Sequence, residues 1–98
     1  MITKEFILST LKLSKQEFSK YGVCKVGLFG SYLHGVQNKG SDIDILIDFE
    51  PEAENYDNYM AVYDIFENLF SNEKVEIVTV NGLSPYIGPK ILKEVVYV

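Results

Sequence analysis

The stretches GLFGS (residues 27–31) and SDIDILI (residues 41–47) decide the fold. The first closes an apolar, β-branched segment, 23–29, which predicts a strand that ends at Gly30. The second opens a segment, 43–49, whose residues alternate between two strand faces, with Ile43, Ile45, Ile47 and Phe49 on one face and Asp42, Asp44, Leu46 and Asp48 on the other. Two strands separated by a glycine-rich stretch are therefore the centre of the prediction.

The segments around these strands predict the remaining elements. Residues 3–21 carry a helical apolar stripe, with a bend where Ser14 and Glu17 resemble a capping box, and Gly22 is a natural end. Asn55 or Asp57 can begin a second helix with an apolar stripe that runs to residue 70. The later predicted elements are a strand at 75–80, a short helix near 89–94 and a small edge strand at 95–98. This order predicts an α/β (α+β) domain, a mixed sheet with helices packed on it.

Length and composition limit the class of protein. A chain of 98 residues, with 47% hydrophobic and 23% charged residues, is expected to form one globular domain over residues 1–98. The chain has no apolar run of the ~20 residues that a membrane span needs, and its first residues do not resemble a signal peptide. The single cysteine, Cys24, is expected to be a small, half-buried residue and fits a reducing compartment. We therefore expect a cytoplasmic protein with no membrane partner.

Charge is unevenly distributed along the chain. Residues 42–76 hold eleven carboxylates and one lysine, whereas the rest holds eight lysines and three glutamates, and there is no arginine. The acidic middle repels phosphate, so direct nucleic-acid binding there is not expected. Acidic clusters instead attract divalent cations and basic proteins.

The residues that point to chemistry lie at the ends of the predicted strands. Gly30 and Ser31 stand at a strand-to-helix turn, where backbone N–H groups can approach an anion. Asp42 and Asp44 are two residues apart in a predicted strand, so their side chains lie on the same face, about 6–7 Å apart. A hard divalent cation such as Mg²⁺ or Mn²⁺ relieves the repulsion between the two carboxylates. Glu76 supplies a third carboxylate. If its strand neighbours that of Asp44, the three carboxylates form the donor set of a two-metal site.

The combined pattern resembles a known family. GLFGS at 27–31, Gly35, SDIDILI at 41–47, VEIV at 75–78 and the tail that begins with YIG at 86–88 look like the minimal nucleotidyltransferase (MNT) domain of the DNA polymerase β superfamily. The similarity spans nearly the whole chain. Within that superfamily the chain is similar to the antitoxins of HEPN–MNT toxin–antitoxin systems, which implies a polymerase β-like nucleotidyltransferase fold for the single domain.

The resemblance implies an activity and its partners. The expected reaction is the transfer of AMP from ATP to a tyrosine hydroxyl of a cognate HEPN ribonuclease toxin, which neutralises the toxin. The expected cofactors are two Mg²⁺ ions, or Mn²⁺, with ATP as the substrate. A hetero-oligomer with the toxin is the expected assembly.

The resemblance also implies residue roles. Asp42 and Asp44 match the metal ligands, and Glu76 matches the third catalytic carboxylate, where close relatives often have Asp. Gly30 and Ser31 match the residues that grip the triphosphate. Ser41, which also belongs to the nucleotide-binding set, matches a residue that helps to set the Asp-bearing strand.

The chain departs from the family at position 34. His34 stands where relatives frequently carry Arg, so a bidentate phosphate donor is missing, and Lys39, backbone amides or the partner would have to supply its charge. A role for His34 as a general base is less favoured than simple exposure.

Two alternatives to protein adenylyl transfer stay open. In the first, the chain is an idle antitoxin that inhibits its toxin by direct binding. In the second, it modifies a small molecule, as the aminoglycoside-modifying members of the superfamily do, although those carry extra domains. The tyrosines at 56, 59 and 63 have helical spacing and are interpreted as core or interface residues rather than as acceptors of AMP.

Overall fold

A mixed four-stranded sheet forms the centre of the molecule. The computed structural model describes residues 2–98. The strands lie in the order β3-β2-β1-β4, where β1 is antiparallel to both β2 and β4, and β2 is parallel to β3. The strand bounds are β1 Val23–Phe29, β2 Ile43–Phe49, β3 Val75–Thr79 and β4 Val96–Tyr97. The predicted fold class, a mixed sheet with packed helices, is confirmed.

Within residues 2–98, five α-helices pack around this sheet. Their bounds are α1 Lys4–Leu13, α2 Lys15–Ser19, α3 Gly30–His34, α4 Tyr56–Leu69 and α5 Gly88–Glu94. The predicted bend at Ser14 is confirmed, but the Ser14 side chain makes no capping hydrogen bond. At α4 the cap is Asn55, whose Oδ1 accepts a hydrogen bond from the Asn58 N–H at 2.9 Å. Within residues 2–98, no helix combines the length and the apolar character needed to cross a bilayer.

Three local expectations differ from the structure. The third strand ends at Thr79 rather than at residue 80, because residues 80–82 form a 3-10 turn in which the Gly82 N–H donates to Thr79 Oγ1 at 3.1 Å. The last strand has only two residues. The prediction that Cys24 is half-buried is wrong. Cys24 is exposed, and its thiol donates a hydrogen bond to the Asp48 carbonyl at 3.3 Å.

The core covers both faces of β2. On one face Ile43, Ile45 and Ile47 are fully buried in the main cluster, which also contains the stacked pair Phe18–Phe66 with ring centroids 4.6 Å apart. On the other face a smaller cluster is formed by Phe29, Leu46 and Ile91. The alternation placed Leu46 on the acidic face, yet it is fully buried because α5 packs there. The aspartates of β2 therefore lie beside apolar packing, not on an open surface.

Candidate active site

Sheet register brings two of the predicted carboxylates side by side. Asp44 lies opposite Phe29 of β1 in one ladder and opposite Glu76 of β3 in the other. Paired residues on adjacent strands point to the same face of a sheet, so the Asp44 and Glu76 side chains are neighbours. The expectation that the strand of Glu76 neighbours that of Asp44 is confirmed.

The glycine turn touches the same carboxylate. Gly30 follows β1 directly, has a φ of +78°, and begins α3. A Cβ atom added at Gly30 would overlap Asp44 Oδ2 and would lie 3.0 Å from Asp44 Cγ. Glycine is needed here for two reasons, since the backbone is left-handed and the carboxylate occupies the space of a side chain.

Burial and neighbouring acids change the titration of Asp44. Burial is the largest cause that raises its pKa from the ordinary 3.8 to about 6, followed by a hydrogen bond with Glu76 and by the charges of Glu76 and Asp42. The negative charges of Glu76 and Asp42 therefore favour the protonated form of the Asp44 carboxyl group. A bound cation removes the need for that proton, because it offsets the same repulsion.

Asp42 occupies a different position. It lies one residue before β2, half-buried, and lines a cleft together with Glu76. Ser41 closes the turn before it, because the Ser41 N–H donates to the Asn38 carbonyl at 3.0 Å and Ser41 Oγ accepts from the Asn38 N–H at 2.9 Å. Within residues 2–98 no three acidic, histidine or cysteine side chains are already arranged around a metal position. The structure thus pairs Asp44 with Glu76 and leaves Asp42 at the entrance of the strand.

The donor set suits a hard divalent cation. All three candidate ligands offer only carboxylate oxygens, which Mg²⁺ and Mn²⁺ prefer over nitrogen and sulfur. Within residues 2–98, neither Asp44 nor Glu76 forms a salt bridge with a basic side chain. Asp42, Asp44 and Glu76 are therefore the residues that could hold metal here.

The other residues of α3 lie farther from the carboxylates. Ser31 is half-buried in the first turn, beside Gly30, whereas His34 ends the helix, about 6 Å farther along its axis. His34 Nε2 lies 3.0 Å from Glu94 Oε2 at the end of α5, and half of the His34 side chain is exposed. This contact links α3 to α5 at a distance from the acidic pair.

Two clefts meet at Glu76. The first, of 360 Å³, contains Asp44 and Glu76 beside an apolar wall. The wall residues are Phe29, Val78, Leu83, Ile87 and Ile91. The second, of 410 Å³, contains Asp42 and Glu76 beside residues of α4 and of the β3 edge. Its other lining residues are Tyr59, Tyr63, Glu67, Glu73, Lys74, Val75 and Ile77.

Sequence reasoning missed both cleft walls. The apolar wall combines Phe29 of β1 and Val78 of β3 with Leu83, Ile87 and Ile91 from α5 and the loop before it, residues that are spread along the chain and have an ordinary core pattern. The one available signal was the exposure of Tyr86 and Ile87, whose side chains are 91% and 58% exposed next to this cleft. Exposure is a tertiary property, so no local pattern could reveal it.

Comparison with known proteins agrees with this geometry. The family model described as a nucleotidyltransferase domain matches residues 10–98. The chain is 37% identical over 99 residues to the protein adenylyltransferase MntA of Thermococcus cleftensis, covering 100% of this chain and 98% of that protein.

Solved structures show the same fold. A chain described as a minimal nucleotidyltransferase superposes with a TM-score of 0.82 and 25% identity, covering 97% of this chain and 95% of the other. A chain from a toxin–antitoxin structure with AMP-PNP superposes with a TM-score of 0.63 and 23% identity, covering 98% of this chain and 72% of the other. The second likeness concerns the fold alone.

Proposed function

The chain belongs to the nucleotidyltransferase domain family, and on that premise we propose that it transfers AMP from ATP to a tyrosine hydroxyl of a HEPN ribonuclease toxin. The transfer is Mg²⁺-dependent, and it neutralises the toxin. The observation that carries the proposal is the placement of the Asp44–Glu76 pair against Gly30, where α3 begins. A toxin as the partner is supported by the resemblance of the sequence and by the toxin–antitoxin fold neighbour.

Each residue in the proposal has a separate role. Gly30 and Ser31 receive the triphosphate, because the absence of a side chain at Gly30 leaves backbone N–H groups accessible. Asp42, Asp44 and Glu76 hold the metal ions, and Ser41 fixes the turn from which Asp42 projects. Bound Mg²⁺ or Mn²⁺ supplies neutralisation of the triphosphate charge and lowers the pKa of the acceptor hydroxyl.

The bond changes follow from in-line substitution at the α-phosphorus. The tyrosine oxygen forms a bond to the α-phosphorus, the bond to the bridging oxygen breaks, and pyrophosphate leaves with the electron pair. The hydroxyl proton passes to solvent, so the mechanism needs no histidine base. His34 has no place in it, in agreement with its position at the far end of α3.

The idle-antitoxin alternative is favoured by one specific observation. Within the described residues, no three acidic, histidine or cysteine side chains are gathered around a single metal position. If Asp42 does not join the other two carboxylates when nucleotide binds, the chain inhibits its toxin through contact alone.

The two functions are separated by a labelling experiment. The purified chain is incubated with α-³²P-labelled ATP, Mg²⁺ and the cognate toxin, and the toxin is then analysed for label and for ribonuclease activity. Adenylyl transfer predicts label on a toxin tyrosine, lost in the Asp42→Ala/Asp44→Ala double variant together with neutralisation. The matched control is Asp57→Ala/Asp64→Ala, which removes two exposed acids of α4. Inhibition of the toxin that survives without label in the Asp42/Asp44 variant identifies the idle antitoxin.

A further inference from the structure

The larger of the two clefts is a groove along the free edge of the sheet. Strand β3 is the outermost strand on its side, so one of its edges has no neighbouring strand. Residues 74–77 form one side of the groove, and Tyr59, Tyr63 and Glu67 of α4 form the other. Asp42 and Glu76 open into the same 410 Å³ space, which makes the groove continuous with the proposed site of transfer.

The strand edge in this groove offers backbone groups. The Lys74 carbonyl accepts the Ile43 N–H at 2.8 Å and so faces β2. The Ile77 carbonyl points away from β2 and already accepts the Tyr59 hydroxyl at 3.2 Å, so it is not free to pair with another strand. Backbone groups alternate between the two sides of a strand, so those of Val75 also face outward. An edge of this kind pairs with an extended polypeptide segment.

The negative charge of the groove indicates that a segment bound there carries basic side chains. Glu67 and Glu73 line it in addition to the proposed metal ligands, whereas Lys74 is its one basic lining residue in the described chain. Glu73 Oε2 lies 3.5 Å from the hydroxyl of the buried Tyr32, which holds this carboxylate at the groove's wall. The metal ions are assigned to other residues, so Glu67 and Glu73 remain to meet cationic side chains.

We propose that this groove is the acceptor subsite and that it binds an extended segment of the acceptor protein in which the reacting tyrosine is flanked by basic residues. The inference rests on the proposed function, because it places the acceptor beside Glu76. Glu67 then acts as a specificity-determining residue, and because it is not one of the proposed metal ligands it can be varied without removing them.

Two measurements test the groove independently of each other. The first titrates short synthetic peptides, with one tyrosine flanked by lysines or by glutamates, into the ¹⁵N-labelled chain without ATP. Amide shifts are expected at residues 74–77 and along the facing side of α4, for the lysine peptide only. The second measures transfer of label from ATP to the lysine peptide by the wild type and by Glu67→Lys, with Glu17→Lys on α2 as the exposed control.

Charge reversal should act on acceptor binding alone. Glu67→Lys is expected to raise the KM for the lysine peptide roughly three- to tenfold, since it converts one exposed attraction into a repulsion. The KM for ATP and kcat should stay unchanged, and Glu17→Lys should match the wild type.

The outcomes separate this inference from the proposed function. Transfer to the toxin with no effect of Glu67→Lys, or equal binding of both peptides, overturns the groove and leaves the activity standing. Shifts at residues 74–77 without transfer to any acceptor support the groove and contradict the activity. A third outcome is that the same amide shifts appear without peptide as the protein concentration rises, and that sedimentation detects dimers. This result would show that a second copy of the chain occupies the strand edge, and it would overturn the proposal.

Discussion

Replacing Gly30 with alanine tests how closely the start of α3 approaches Asp44. A side chain at a φ of +78° costs about 1–2 kcal/mol in backbone strain. The added Cβ would also overlap Asp44 Oδ2 and would lie 3.0 Å from Cγ and 3.2 Å from Cβ of the same residue. Overpacking of this kind adds about 1–3 kcal/mol. The expected loss of unfolding free energy for Gly30→Ala is therefore about 2–5 kcal/mol.

A matched glycine separates the two contributions. Gly35 has a φ of +72°, but a Cβ there would have no atom within 4 Å, so Gly35→Ala should lose only the strain, about 1–2 kcal/mol. Urea unfolding followed by far-UV circular dichroism measures both variants. Combining Asp44→Ala with Gly30→Ala should restore about 1–2 kcal/mol of unfolding free energy, because it removes the carboxylate that the added Cβ overlaps. Combining Asp44→Ala with Gly35→Ala should restore nothing comparable.

The rate of AMP transfer should depend on the same close contact between Gly30 and the Asp44 carboxylate. If Gly30→Ala pushes the Asp44 carboxylate aside by about 1 Å, transfer of AMP should fall on the order of a hundredfold. Gly35→Ala should retain most of the activity. Equal stability losses for the two glycine variants, with no rescue by Asp44→Ala, would refute the close approach on which the site is built.

Three further predictions concern titration, the core and the link between α3 and α5. The folded-state pKa of Asp44, about 6, lies above its ordinary 3.8, so the unfolding free energy should fall as pH rises from about 4 to about 6. The fall should be about 1 kcal/mol after allowance for solvent screening. Urea titrations at several pH values should detect it in the wild type and in Asp48→Asn, but not in Asp44→Asn. Phe66→Ala should lower the unfolding free energy by about 3–5 kcal/mol, because Phe66 is fully buried and stacked on Phe18. Thermal unfolding measures this loss, and a loss no larger than that of an exposed substitution would contradict the packing. His34→Ala should cost less than about 1 kcal/mol in the same assay and leave label transfer near wild type, since half of the His34 side chain is exposed at its contact with Glu94. A large fall in transfer would give His34 a role in catalysis.

The central strands were predictable because their patterns are local. The bounds of β1 and β2 agree with the sequence prediction, since β-branched content and period-two alternation act within a few residues. The end of β3 was misplaced by one residue, because Thr79 Oγ1 accepts a hydrogen bond from the Gly82 N–H and a turn begins there. Leu46 was placed on the acidic face by the same alternation, and its burial depends on α5, which comes much later in the chain.

In the candidate site, too, the local sequence predicts the residues, whereas their contacts depend on the tertiary structure. Asp42, Asp44 and Glu76 could be selected from residue type and spacing, because metal chemistry needs oxygen ligands whatever the fold. The pairing of Asp44 with Glu76 depends on strand register. The groove beside β3 could not be predicted at all, since it exists only because α4 packs next to a free strand edge.

The amino-acid sequence by itself determined the two central strands, the acidic residues and the glycine that must begin α3, because alternation, charge and backbone freedom are properties of single residues and their near neighbours. Only the tertiary structure decided which carboxylate lies against which, how far the pKa of Asp44 rises, and where an acceptor can approach. Those properties arise from hydrogen-bond register and burial between segments that are more than thirty residues apart in the chain, such as Asp44 and Glu76.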